Sequence, residues 1–373
     1  MDKVLHAAST ESKDLTSHLL AKLKHWKWWL LVVLNIFFLL VGQTVATLLA
    51  RFYYDQGGNS KWLSTLVQTA LFPLLYIFFI FFPTTTTSSF SSPSPNTISG
   101  PSTRKLALIY TALGLLIAAN NLMYSYGLLY LPVSTYSLIC ASQLAFNAIF
   151  SYFINSQKFT PLIFNSVVLL SFSSALLGLD KDSSGDSSTI PRGKFILGFI
   201  LTVGASASFS LILSLMQLTF EKVLKKETFA VVLEMQIYTA FVASCAAVVG
   251  LFASGEWKQL ADEYEGFLKG KASYVATVVG VGVAWQVASV GVVGLIFVVS
   301  SLFSNTISTL ALPVIPVFAV IFFHDKMDGV KVMAMLIAIW GFLSYLYQNY
   351  VDDSAAKRAV REEEGESFDT SVP

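Results

Sequence analysis

The chain has 373 residues, 54% of them hydrophobic and 13% charged, with a net charge of +1. A globular domain carries about 25% charged residues, so this composition leaves no room for a soluble domain, and near-neutrality suggests no nucleic-acid partner. The two cysteines, Cys140 and Cys245, fall inside apolar runs without a charged neighbour to activate them and read as buried, inert thiols.

A polar segment, 1–27, comes first and ends in the basic cluster Lys22, Lys24 and Lys27. The apolar run that follows starts too late and continues too long for a cleaved leader. Ten runs succeed one another near 28–50, 62–82, 106–130, 134–154, 162–179, 195–219, 229–252, 273–296, 298–322 and 331–349. Each approaches the roughly 20 apolar residues of a bilayer span. Each is predicted helical, because lipid offers no partner to free backbone groups. A Ser/Thr/Pro-rich loop, 83–104, divides the second and third runs, and a polar loop occupies 180–194. The acidic tail, 351–373, with Glu362, Glu363, Glu364 and Glu366, is expected to be solvated and disordered. With the N-terminus inside, cytosolic segments hold fourteen of the 24 Lys and Arg residues, which places both termini in the cytosol.

Gly127-Leu-Leu-Tyr-Leu-Pro-Val-Ser134 returns as Gly294-Leu-Ile-Phe-Val-Val-Ser-Ser301, 167 residues later, and Gln68 is echoed by Gln236. Five spans per half is an odd number, so residues 28–179 and 195–350 would insert with opposite orientation. Inverted repeats place a site at their interface near the midplane.

Polar side chains within the runs are costly unless they face a cavity or another helix. Span one holds Asn35 and Gln43, and span two Gln68. Span three holds Asn120, Asn121 and Tyr124, and span four holds Gln143 and Asn147 on one stripe. Span six has Ser206, Ser208, Ser210 and Gln217; span seven has Glu234 and Gln236; span eight has Trp285 and Gln286. Amides donate and accept together and match the edge of a heterocycle, while aromatics stack on its face. The same amides also serve simply to join helices. Few fixed charges point inward, so the pattern suits a flat neutral ring better than a phosphate. Glu234 lies about 9 Å into its helix, as either a proton carrier or a partner of Lys225 or Lys226. His324 and Asp325 read as an aqueous cap of span nine. No metal-ligand, paired-carboxylate or phosphate-loop motif occurs, so neither a metal nor a cofactor is expected.

Several blocks resemble the plant purine permease family of the drug/metabolite transporter superfamily. They are Leu40-Val-Gly-Gln-Thr-Val-Ala46, Tyr54-Asp-Gln-Gly-Gly-Asn-Ser-Lys-Trp62, Leu131-Pro-Val-Ser-Thr-Tyr-Ser137 and Cys140-Ala-Ser-Gln-Leu-Ala-Phe-Asn147. Further blocks are Leu233-Glu-Met-Gln236, Gly250-Leu-Phe-Ala-Ser-Gly-Glu-Trp257, Trp285-Gln286, Ser300-Ser-Leu-Phe-Ser-Asn305 and Trp340-Gly-Phe-Leu-Ser-Tyr345. The resemblance implies an all-α integral membrane fold of ten transmembrane helices in two inverted five-helix repeats. It implies a proton-coupled importer of adenine-like bases or cytokinins, with an alkaloid or pyridoxine-like ring as the competing cargo. The implied site is Gln43, Asn120, Asn121, Tyr124, Gln143, Asn147, Gln217, Trp285 and Gln286. A membrane-embedded transferase would want clustered acids, which one intramembrane Glu234 does not supply. Protons and the lipid bilayer are the expected partners, as a monomer or homodimer, with the plasma membrane the default location and the endoplasmic reticulum or vacuole open.

Overall fold

A computed structural model describes residues 2–76, 103–155, 160–179, 191–224, 229–298 and 301–369. Most of the 83–104 and 180–194 loops, and Lys225 and Lys226, lie outside the described residues. Among the described residues there is no strand. In chain order the helices are α1 (Asp2–Asp55), α2 (Lys61–Ala70), α3 (Thr103–Tyr130), α4 (Val133–Cys140), α5 (Gln143–Asn155) and α6 (Pro161–Leu179). Next come α7 (Arg192–Leu218), which ends in a π-turn at Thr219–Leu224, and α8 (Phe229–Ala253). The series closes with α9 (Leu260–Gly266), α10 (Lys271–Val298), α11 (Ser301–Phe323) and α12 (Gly329–Asp369).

Seven of these segments are long and apolar enough to cross a membrane, and Pro161–Leu177 and Ile307–Phe323 are shorter apolar helices. Two expectations are corrected. The second run is interrupted at Leu71–Phe72, because Pro73 has no N–H to continue the ladder. The fourth run stands as one span, Val133–Ile154, with a tightened turn at Ala141–Ser142, where Ser142 N–H bonds three residues back to Ile139 at 3.0 Å. The acidic tail is not disordered: α12 continues through it to Asp369, over Ala, Arg, Lys and Glu, all strong helix formers. The first segment is likewise helical, from Asp2.

The bundle turns large apolar side chains outward and buries hydroxyls beside its apolar core. Phe153 (75% exposed), Leu108, Val249 and Trp340 face outward, whereas Thr202, Ser206, Ser210, Thr135 and Ser137 are fully buried. Lipid removes the hydrophobic drive between helices, so close approach and hydroxyl bonds hold them. Cys140 is buried, but Cys245 sits on the outward face of α8, which corrects its reading as a buried thiol.

Glycines set the tightest crossings. A Cβ on Gly42 of α1 would lie 2.6 Å from Ala288 N and 2.8 Å from Ala284 O of α10. On Gly294 of α10 it would overlap the Asn35 amide of α1, and on Gly127 of α3 the Thr202 hydroxyl of α7. The α6–α12 seam is hydroxyl-bonded, with Ser173 Oγ donating to Ala334 O at 2.8 Å. The α2–α8 seam is similar, with Ser244 Oγ donating to Thr69 Oγ1 at 2.9 Å.

Candidate functional site

Two groups of polar and aromatic side chains lie among the buried residues of the bundle. The first surrounds α7, where Thr202, Ser206 and Ser210 recur every four residues on one stripe. Ser206 Oγ donates to Thr202 O at 2.9 Å. Ser210 Oγ reaches Ser206 O at 2.9 Å and crosses to α5, donating to Gln143 O at 2.6 Å. Gln143 itself is buried, directly after the tightened turn at Ala141–Ser142. On α3, Tyr124 is half-buried, and its ring meets Tyr136 edge-on at 6.0 Å. Asn120 lies one turn before Tyr124 and is 3% exposed; its Oδ1 is buried without a hydrogen-bond partner.

The second group joins α1, α10 and α11. Gln43 Oε1 accepts from Ser308 Oγ at 3.1 Å. Gly42 packs on the backbone of Ala284 and Ala288, the residues that bracket Trp285 and Gln286. Gln286 is 6% exposed, and its Oε1 also lacks a partner. Trp285 and Tyr124 are both half-buried and pack against one apolar core that includes Leu128, Val133, Cys140 and Leu144. An unpaired buried carbonyl costs about 1–3 kcal/mol, so Asn120 Oδ1 and Gln286 Oε1 are oxygens that a hydrogen-bond donor would relieve.

Other expected residues stand differently. Asn147 donates from Nδ2 to the Tyr345 hydroxyl at 3.1 Å, a bond that joins α5 to α12. Asn121 and Gln217 are half-buried, and Gln217 is engaged with other groups. Glu234 is half-buried on α8, between the buried Leu233 and Met235 and near the stacked pair Tyr110–Tyr238, whose rings lie 5.9 Å apart. Among the described residues no cluster of acids, histidines and cysteines suits a metal.

Sequence reasoning missed a polar clasp at the end of the bundle where α1 finishes. There Arg51 donates to Leu128 O and Leu131 O, each at 2.8 Å, and so caps α3; it also pairs with Asp55 at 2.9 Å. Asp325 accepts from Ser134 N–H at 3.0 Å, so it caps α4 rather than its own span. Across the 55–62 corner, Glu256 accepts from Ser60 Oγ at 2.8 Å and Trp62 N–H at 3.1 Å and pairs with Lys61 at 3.0 Å. Burial alone would raise the Glu256 pKa, but the Lys61 ammonium and the bonds from Trp62 and Ser60 outweigh it and hold the carboxyl below its ordinary range. Gly250 leaves room for the Trp62 ring, which a Cβ would strike. The signal was present: the blocks 54–62 and 250–257 dock on one another, although neither names its partner.

The sequence matches the family described as purine nucleobase transmembrane transport over residues 30–355. Relatives in Arabidopsis thaliana include "Probable purine permease 11", 61% identical over 91% of this chain and 88% of that one. "Purine permease 21" is 54% identical over 91% of this chain and 86% of its own length. "Probable purine permease 13" is 56% identical over 91% of each.

Proposed function

We propose, from the premise that the chain belongs to the purine permease family, that it imports an adenine-like base or cytokinin with protons, by alternating access. The chain is a multi-pass membrane transporter of the purine permease type, not an enzyme.

The observation that carries the finer reading is the pair of partnerless carbonyl oxygens, Asn120 Oδ1 and Gln286 Oε1, near Tyr124 and Trp285. A flat ring with N–H groups would satisfy the first pair and stack on the second. Gln143 would complete the ring's edge, and Gln43, Asn121 and Gln217 would line its approach. Asn147 would act through Tyr345, shaping the cavity rather than touching the cargo.

Ten spans in two inverted repeats are supported by the seams. With 167 residues added, Asn35 becomes Thr202 and Gly127 becomes Gly294. Gly294 packs on Asn35, and Gly127 packs on Thr202. One close contact between the halves is thus made twice, with the two halves exchanging roles, as a twofold axis relating them requires. Asn120 and Gln286, offset by 166 residues, come from matching spans on either side of that axis. The positive-inside count then puts the clasp end outside the cytosol, and its bonds make this an outward-closed state.

Uptake of labelled adenine and trans-zeatin into transport-deficient yeast, at two external pH values with and without a protonophore, tests the reading. Saturable uptake abolished by the protonophore is expected. Uptake indifferent to it removes proton coupling, and no uptake despite surface protein moves the cargo to an alkaloid or pyridoxine-like ring.

A further inference from the structure

The clasp contains a buried acid that is paired with no cation among the described residues. Glu263, on α9, is 7% exposed. Its Oε2 accepts from the Tyr53 hydroxyl at 2.6 Å, and its Oε1 accepts from Asn59 N–H at 3.2 Å. Ser60 N–H donates to the same Tyr53 oxygen at 3.2 Å. These donors all belong to the end of α1 and the corner after it.

The titratable groups around Glu263 add no positive charge of their own. Tyr53 and Tyr54 face it from α1 and Tyr274 from α10, and Glu256 lies nearby with Lys61 bound to it. On its own helix Asp262, Tyr264 and Glu265 are neighbours, and Lys271 pairs with Glu265 at 2.9 Å rather than with Glu263. Burial pushes the Glu263 pKa above its ordinary value, more than the bonds from Tyr53 and the Asn59 and Ser60 backbone lower it. A carboxylate in such a place either takes a proton or regains water. Regaining water means lifting the 55–62 corner away, so protonation and docking are linked.

We propose that Glu263 is the proton-binding residue of the outer gate: a proton taken from outside keeps the 55–62 corner docked and the outer face shut. The sidedness and the gating rest on the function proposed above. The sign follows from linkage. A carboxyl whose pKa is raised in the docked state stabilises docking fully below its free pKa. That contribution fades as pH rises through the docked value. Acid outside therefore closes the gate, and alkali loosens it. This role differs from that considered for Glu234, which lies on α8 within the span.

The test uses intact yeast expressing the full chain with Cys140→Ala and Cys245→Ala, labelled by a membrane-impermeant maleimide. Ser60→Cys reports undocking, because Ser60 is 2% exposed, and Asn59→Cys is the exposed reference that cancels the thiol's own pH dependence. The Ser60→Cys to Asn59→Cys rate ratio is expected to fall several-fold from external pH 7.5 to 5.5. Adding Glu263→Gln, which mimics the protonated acid, should leave the ratio low at both values. Tyr53→Phe should raise it at both, and stands in if the glutamine variant fails to reach the surface. A flat ratio in the parent, or the same pH response with Glu263→Gln, overturns the proposal. So does labelling of Asn59→Cys only after permeabilisation, which would put the clasp in the cytosol. No cargo is needed, so a failure of purine uptake leaves this result standing, and the converse holds as well.

Discussion

The two ends of the bundle are held by different forces. At the end where α1 finishes, directional bonds dominate. Among the described residues the ion pairs Arg51–Asp55, Lys61–Glu256 and Lys271–Glu265 all lie there, with the Tyr53–Glu263 bond beside them. Toward the opposite end Leu106, Tyr110, Phe220, Val232 and Leu233 form an apolar cluster between α3, α8 and the π-turn after α7. Directional bonds fail when one partner is lost. Apolar contacts in lipid fail gradually, since separated helices find equally apolar neighbours. Under the alternating access proposed above, a transporter closed by the first kind of contact and held loosely by the second would open at the apolar end.

The comparison can be broken most severely from its middle. Gly42→Leu forces a Cβ into the α10 backbone, and helices of main-chain rigidity cannot yield; overpacking of this kind exceeds about 3 kcal/mol. Fluorescence-detected size exclusion should show no monodisperse protein. Next, Glu256→Ala strands Lys61 and two donors and should cost about 2–3 kcal/mol, read as a lower melting temperature in detergent. At the other end, Leu233→Ala leaves only a cavity, because lipid supplies no transfer term, and should cost about 1–2 kcal/mol. If the Leu233 variant proves the less stable of the two, the contrast between the ends is wrong. Gln286→Leu removes an unpaired oxygen, so stability should hold within about 0.5 kcal/mol while the apparent KM for adenine rises severalfold in uptake assays.

The clasp also carries two acids with opposite pH responses. Glu256, its pKa depressed, stabilises the corner above the ordinary carboxylate value, and that contribution is lost as pH falls through its depressed one. Glu263 acts in the reverse sense and gains as pH falls toward the ordinary value. From neutral pH down toward the ordinary carboxylate value Glu263 gains while Glu256 is not yet lost, so mild acid should tighten their part of the corner. Limited proteolysis between α1 and α2 should slow over that interval and accelerate again only below it.

The sequence by itself determined the class and the family. Apolar runs of bilayer length admit one backbone solution, and blocks such as 54–62 and 140–147 are specific as strings. It also named the amides and aromatics of the middle, because polar groups are rare within spans and each one stands out. Composition could not say where helices stop, so the break before Pro73 and the helical tail to Asp369 departed from the runs as read. Only the tertiary structure distinguished Asn147, bonded to Tyr345, from Asn120 and Gln286, whose oxygens lack partners. It alone joined Tyr53 to Glu263 and Ser60 to Glu256, pairs about 200 residues apart in the chain. The physical reason is one of range: hydropathy is a local sum along the chain, whereas a hydrogen bond is a distance between residues that only folding brings together.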